Sequence, residues 1–127
     1  MIAVASYGPL VARLLLAVVF LYSGIDKLVH WRDGVAEVAA LGLPFPSLFA
    51  ALTILTQLLG GLVVASGWYA WAGAIVLAGF TLLATALGHR FWRHQGVEMR
   101  RELTTALEHL AIVGGLGLVA ISGLPPG

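Results

Sequence analysis

Four apolar stretches, each close to the roughly 20 residues needed to cross a bilayer, limit what this chain can become. They run from about Pro9 to Val29, Pro46 to Ser66, Trp71 to Gly88 and Leu103 to Ser122. Gly8 and Pro9 suit the start of the first helix, because proline at the first helical position sacrifices no helical hydrogen bond. The breaker-rich "LGLPFPS" opens the second, and the fourth stops at "GLPPG". Only 10% of the residues are charged and 60% are hydrophobic, against about 25% charged in soluble domains. A water-soluble fold has too little interior for this much apolar surface. The expected fold is an all-α integral membrane four-helix bundle, one transmembrane domain over residues 1–127.

The first charge, Arg13, lies within the first apolar stretch rather than ahead of it, and no small-residue cleavage site follows. That stretch therefore reads as a retained span rather than a signal peptide. The first connection, "HWRDGVAEVAALGLPFP", repeats Trp31, Val35, Val38 and Leu41 at near-helical spacing among Arg32, Asp33 and Glu37. It predicts a short amphipathic helix on the membrane surface. "GWYAW" is a tight aromatic turn of the kind found at a membrane–water interface. "HRFWRHQGVEMRRE" is a polar, basic connection.

Lys27, Arg32, Arg90, Arg93, Arg100 and Arg101 belong to the first and third connections, and only Arg13 lies on the other side. The positive-inside rule then puts loops 30–45 and 89–102 in the cytoplasm and both termini outside. A net charge of +1 without a basic stripe gives no reason to expect nucleic acid. The absence of cysteine excludes thiol–disulfide chemistry, cysteine metal ligation and c-type haem attachment. "GGLVVASGW" and "GGLGLVAISG" echo each other, as a duplication would produce. Small residues that allow close helix approach recur in the same way.

The polar groups are few and patterned. In "VVFLYSGIDKLVHW", residues 18–31, an apolar run carries straight into Asp26, Lys27 and His30. Arg13, Phe20 and Lys27 recur at seven-residue intervals, with Ser23 one turn before Lys27. Thr53, Thr56 and Gln57 share a face of the second helix. Thr81, Thr85 and His89 share one of the third, and Thr105, Glu108, His109 and Ile112 neighbour one another on the fourth. A polar stripe on every helix makes sense if the stripes face each other. By the rise of about 1.5 Å per residue, Asp26, Lys27, His89, Glu108 and His109 fall within about two turns of one membrane edge. Glu108 is then expected opposite Lys27, closing a small polar pocket with an apolar throat.

This pocket suits a quinone better than other cofactors. Haem would need histidines facing across the bundle, and the spacing of His89 and His109 is not diagnostic. "EH" at 108–109 sets its side chains about 100° apart on a helix, which is poor for chelation, so no metal site is expected. No flavin or nicotinamide fingerprint is present. A quinone needs an apolar slot and a few donors near the interface, and Lys27, His89, Gln57 and Trp92 supply them. In this reading Lys27 and His89 polarise a ligand oxygen and Glu108, or a histidine, carries protons. Gln57 bonds deeper in, Arg13 anchors the outer end, and Ser23 and His109 complete the ligand contacts. Other roles fit the same residues: Lys27 and Arg13 as snorkelling ends, Gln57 as interhelical glue.

"RLLLAVVFLYSGIDKL" at 13–28 resembles the first helix of the DoxX family, which carries an Arg, an aromatic–x–Ser–Gly stretch and a Lys soon after. "LGLPFP" resembles the family's loop before its second helix. "LLGGLVVASGW" resembles that second helix and "EHLAIVGGLGLV" the fourth. The resemblance implies a four-helix membrane protein tied to oxidoreductase systems; the family takes its name from the small subunit of a thiosulfate:quinone oxidoreductase. It points to Arg13, Ser23, Gly24, Lys27, Gly60, Gly61, Gly114 and Gly115. Many members have a Glu about where this chain has Gln57, and a neutral amide carries no proton. That leaves either a non-catalytic chain or Glu108 as the bearer of the charge.

The expected function is a DoxX-type redox-associated subunit of a bacterial inner membrane that holds a quinone or similar small hydrophobic ligand at its cytoplasmic half. Whether it catalyses alone is open, and its redox partner protein is not written in the sequence. One alternative is a non-catalytic scaffold seating a partner oxidoreductase through the basic connection. A weaker one is a small transporter, for which four helices are few unless the Gly-rich faces build a homo-oligomer.

Overall fold

The computed structural model describes residues 2–89 and 91–123. Its elements are helices α1 (Ile2–Val29), α2 (Trp31–Ala40), α3 (Pro46–Ser66), α4 (Ala70–Gly88) and α5 (Gly96–Gly123), with a single 3-10 turn at Phe91–Arg93 before α5. Four helices are long and apolar enough to cross a membrane: Tyr7–Val29, Pro46–Ser66, Ala70–Gly88 and Gly96–Ser122. Large apolar side chains such as Leu15, Leu59, Leu83 and Leu118 point outward from all four. Such a surface is stable in hydrocarbon and not in water. The chain is an all-α integral membrane bundle.

The short helix α2 occupies the place its amphipathic pattern predicts, and α3 begins at Pro46. Two other starts differ from the sequence expectation. Helix α1 runs seven residues further back, to Ile2, and takes Pro9 inside it. Pro9 has no N–H for the Ala5 carbonyl, yet one lost bond near the end does not stop an apolar helix. Helix α5 begins at Gly96 rather than near Leu103. Its polar opening is helical because Glu98 sits in the first turn, where a carboxylate complements the helix dipole. At 28 residues α5 spans about 42 Å, longer than a hydrocarbon core of about 30 Å. Its polar opening turns account for the excess. Residues 124–127, the end of "GLPPG", and Arg90 lie outside the described residues.

Helix α3 sits between α1 and α4, α5 closes the ring between α4 and α1, and α2 packs across α3 and the end of α1. The core is concentrated in the half of the bundle away from α2. There Ala17, Phe20, Val64, Ala74, Leu77 and Leu116 pack together. Glycine is what allows it. A Cβ on Gly60 would lie 2.8 Å from Leu77 Cγ, and one on Gly73 would lie 2.8 Å from Val63 Cγ1. The α3 and α4 backbones therefore approach as closely as small residues permit. Gly61 gives the same approach to Leu21 of α1, and Gly115 of α5 receives Leu16. At the C-terminal end of α3, Gly67 closes the helix with a φ of 81°, a left-handed cap in which glycine carries no steric cost.

This packing predicts that Gly60→Val destabilises the bundle by about 1–3 kcal/mol, because buried Leu77 has no room to move aside. A thermal melt in detergent should show the loss. Gly79→Ala, where an added Cβ meets nothing within 4 Å, should leave the midpoint unchanged or slightly raised.

Candidate functional site

The other half of the bundle, beneath α2, is hollow. A cavity of about 690 Å³ lies there, lined from α1, α2, α3, α4 and α5. That volume is within the range of small-molecule pockets, about 300–1,000 Å³. Phe20, Phe49 and Phe80 give it aromatic walls. Val19, Leu52 and Leu83 line it while also being exposed on the outer surface of the bundle. The apolar wall is thus continuous with the surface that faces lipid. Gly34, Val38 and Leu41 roof it. Helix α2 crosses with Gly34 over Lys27, where a Cβ would make an ordinary contact of 3.7 Å with the Lys27 side chain and carbonyl.

The polar lining divides into groups that are partnered within the protein and groups that are not. Gln57 and Thr81 are buried, at 6% and 4% exposure. Gln57 Oε1 and Thr81 Oγ1 have no hydrogen-bond partner. Leaving a buried polar atom unpaired costs about 1–3 kcal/mol, so two of them on one apolar cavity is a specific feature. Lys27 Nζ donates to Ser23 Oγ at 2.7 Å, across one turn of α1, and both residues line the cavity.

The two histidines are oriented from behind. Thr85 Oγ1 donates its only proton to the Thr81 carbonyl at 2.7 Å. Its contact of 2.8 Å with His109 Nδ1 must then be donated by the ring. His89 Nδ1 donates to Glu102 Oε2 at 2.7 Å. The two rings meet edge to face, with centroids 5.0 Å apart. Each ring has its Nδ1 committed to the protein, and neither Nε2 makes a hydrogen bond among the described residues.

Of the residues expected at the site, the structure brings Lys27, Ser23, Gln57, His89 and His109 to the lining of one cavity. It separates three others from the cavity. Glu108 is exposed on α5, does not line the cavity and forms no ion pair with Lys27. The 100° between adjacent helical residues allows only one of Glu108 and His109 to face inward, and His109 takes that place. Arg13 lies at the opposite end, its guanidinium against Gly67, with Nη2 3.0 Å from where a Cβ would stand. There it lies outside the cavity lining, at the C-terminal end of α3, which a cation complements. Trp92 is exposed on the 3-10 turn and outside the cavity. Sequence reasoning missed Thr81 as a site residue, although it lay on the recognised α4 stripe, and missed Glu102 altogether. Glu102 and His109 are seven residues apart on α5 and so share a face, a signal hidden by starting the helix at residue 103.

No group of three or more His, Asp or Glu side chains able to hold a metal occurs among the described residues. A second, smaller cavity of about 280 Å³ adjoins the first through Lys27, Gly34 and Glu37 and is otherwise lined by Asp26, His30 and Asp33. It forms a charged vestibule beside an apolar chamber.

Four helices long and apolar enough to span a membrane, around an apolar chamber with a polar end, define the class: a small α-helical membrane protein with an internal cavity. The family model of DoxX matches residues 8–90, and the chain belongs to the DoxX family. Two relatives from Escherichia coli strain K12 extend the likeness over nearly the whole chain. Inner membrane protein YqjF is 33% identical over 116 residues, covering 91% of this chain and 84% of that protein. Inner membrane protein YphA is 25% identical over 114 residues, covering 90% and 81%. No solved structure matches the chain. The family match includes Ser23, Lys27, Gln57, Thr81 and His89; Glu102 and His109 come from α5, beyond it.

The hydrogen-bond directions predict that His109 is held as the Nδ1–H tautomer. Imidazole nitrogen NMR shifts should show Nδ1 protonated and Nε2 bare. Thr85→Val, which removes the acceptor, should release that preference and lower the thermal midpoint by the equivalent of about 1–3 kcal/mol.

Proposed function

We propose that this protein is a redox-associated membrane subunit that holds a quinone-type ligand, a tailed ring with oxygen substituents, in the chamber beneath α2. The observation that carries this reading is the pairing of an apolar cavity of about 690 Å³ with unpartnered Gln57 Oε1 and Thr81 Oγ1 at its buried surface. The tail takes the aromatic slot and the outward-open wall at Val19, Leu52 and Leu83. The ring meets Gln57, Thr81 and the histidines, and Lys27 offers a charged donor nearer α2. Proton exchange with the ring falls to His109 and His89, with Glu102 behind His89, in place of Glu108. Electrons come from a partner or a small donor.

The two relatives are named as inner membrane proteins, and we place this chain in the same membrane. Among the described residues, Lys27, Arg32, Arg93, Arg100 and Arg101 stand at the α2 end, with only Arg13 opposite. The α2 end is accordingly the cytoplasmic one, and both termini lie outside. A C-terminal alkaline phosphatase fusion should be active in this orientation; an inactive phosphatase together with a fluorescent C-terminal green fluorescent protein fusion would reverse it.

A second reading has a separate observation behind it. Arg93, Arg100 and Arg101 are exposed and form no ion pair with a described residue, as a docking face for an acidic partner would require. In that reading the protein seats an oxidoreductase and the chamber is incidental. Neutralising the three arginines would release a co-purifying partner, whereas filling the chamber would not.

The ligand reading predicts that a saturating decyl-tailed quinone raises the thermal midpoint of the purified protein by about 5 °C. Ala84→Trp, which fills the chamber, should abolish the shift. Glu108→Gln should retain it. No shift in the wild-type protein, with no quinone co-purifying from membranes, would end the reading.

A further inference from the structure

Helices α3 and α4 lock together at one level and hold the cavity between them at another. Phe49, Thr56 and Val63 recur at seven-residue intervals along α3, as do Gly73, Phe80 and Leu87 along α4, so each set marks one face of its helix. The two faces meet at Val63 and Gly73, where a Cβ on the glycine would lie 2.8 Å from Val63 Cγ1. Toward α2 the same faces run on into Thr56 and Phe80, then Phe49 and Leu87, and all four line the cavity.

This gap has edges. One is Gly60 of α3, packed on buried Leu77 of α4. At the other, Leu41 reaches across from the end of α2 to lie 3.9 Å from where a Cβ on Gly88 would stand. From Thr56 to Phe49 the gap is about 10 Å tall. Helix α3 starts at Pro46, so the gap lies from about 4 to about 15 Å inside it. That is the depth of one leaflet's acyl chains in a hydrocarbon core of about 30 Å.

The lips of the gap also form part of the bundle's outer surface. Leu52 on α3 is 47% exposed and Leu83 on α4 is 61% exposed, and both line the cavity. Thr53 and Thr56 are the polar residues of the α3 lip. A helical threonine can turn its hydroxyl back to its own helix and present its methyl. The other seams are narrower at this level. Helices α1 and α3 meet at Gly24, where a Cβ would lie 2.8 Å from Leu58. Helices α4 and α5 are tied by the bonds of Thr85 to His109 and of His89 to Glu102. Helices α1 and α5 part, yet of the lining residues they contribute only Val19 is exposed.

An apolar space that opens on hydrocarbon is a poor place for water, which needs two or more polar partners. Left empty, its walls forgo their dispersion contacts. The neighbour able to fill it is the bilayer itself. We propose that the gap between α3 and α4 is a lateral mouth through which an acyl chain of a phospholipid, from the leaflet on the α2 side, enters and fills the apolar part of the chamber. A hydrocarbon chain offers nothing to Gln57 or Thr81, so the polar end stays open to other molecules. The proposal goes beyond the quinone-type reading and does not depend on it.

The experiment uses the full chain in phosphatidylcholine nanodiscs containing a phosphatidylcholine with a diazirine midway along one acyl chain. Irradiation inserts the chain into whatever it touches, and mass spectrometry of peptides locates the adducts. We expect half-buried Thr56, Phe80 and Ala84 to be labelled as often as exposed Leu59, and buried Leu77 to be unlabelled. Ala84→Trp, which fills the gap, should abolish labelling at Thr56 and Phe80 and leave Leu59 labelled. Folding is checked by circular dichroism, and Thr56→Phe, read at Phe80 and Ala84, serves if Ala84→Trp does not fold. Adducts on Leu59 with none on Thr56, Phe80 or Ala84 overturn the inference. So does interior labelling confined to Val19, Ser23 and Ile112, which would put the mouth between α1 and α5, and so does labelling that persists in a folded, filled variant. Each of these failures leaves the quinone-type reading standing, since that reading is tested by the thermal shift.

Discussion

Hydrocarbon offers no hydrogen bond, and every polar side chain on these helices has had to find its place under that constraint. Ser23 and Lys27 pair with each other, Thr85 pairs with its own helix and with His109, and His89 pairs with Glu102. After these pairings a small remainder is left: Arg13 Nε is buried without a partner at the far end of the bundle, and Gln57 Oε1 and Thr81 Oγ1 are buried without one on residues that line the cavity, beside the two imidazoles. Partnered groups hold positions; unpartnered ones make the chemistry of the chamber. The same constraint fixes the tautomers, because a threonine that has spent its proton on a carbonyl can only receive one.

The chamber exists because the opposite half of the bundle does not need it. Glycines at 60, 61, 73 and 115 draw the helices together where Leu77, Val63, Leu21 and Leu16 interlock. That half supplies the close packing on which a bundle in lipid depends, where apolar burial gives little drive to associate. Toward α2 larger or polar residues, among them Phe80, Gln57 and Thr53, line the cavity, while α1 and α3 still meet closely at Gly24, where a Cβ would lie 2.8 Å from Leu58. Arg13 belongs to the packed half. Its charge lies over the exposed carbonyl end of α3 at Gly67, a structural role far from the ligand end.

Much of this was legible in the sequence, and the parts that were not fail for identifiable reasons. Pro46 marks the start of α3 unambiguously, since proline both favours the first helical position and stops what precedes it. Apolar length gave four spans, and near-helical spacing gave α2. The starts of α1 and α5 escaped because apolarity measures the hydrocarbon, not the helix, and α5 continues as a helix through residues too polar to count as a span. That lapse concealed Glu102 and hence the support of His89. The choice between Glu108 and His109 was a matter of rotation. Adjacent residues cannot both face inward, and a stripe drawn over Thr105, Glu108, His109 and Ile112 is wider than one helix face. The structure turns His109 and Ile112 inward with Ala106 and Leu116, and Glu108 falls at the flank.

That flank is informative in its own right. Gly115 and Glu108 are seven residues apart on α5 and point within about 20° of each other. At Gly115 the face is met by Leu16 of α1, 3.2 Å from where a Cβ would stand; at Glu108 the face is exposed. Helices α1 and α5 therefore touch in the packed half and part toward α2, at the level where Ser23 of α1 and His109 of α5 turn into the chamber. The parting is what permits His109 to reach the cavity without α1 covering it. An ionised carboxylate at such an edge is costly in hydrocarbon, yet within about two turns of the polar opening of α5 it has water or headgroups in reach. Its exposure and the burial of its neighbour are two results of one divergence: the helix rotation that hands the chamber an imidazole leaves the carboxylate beside it at the rim.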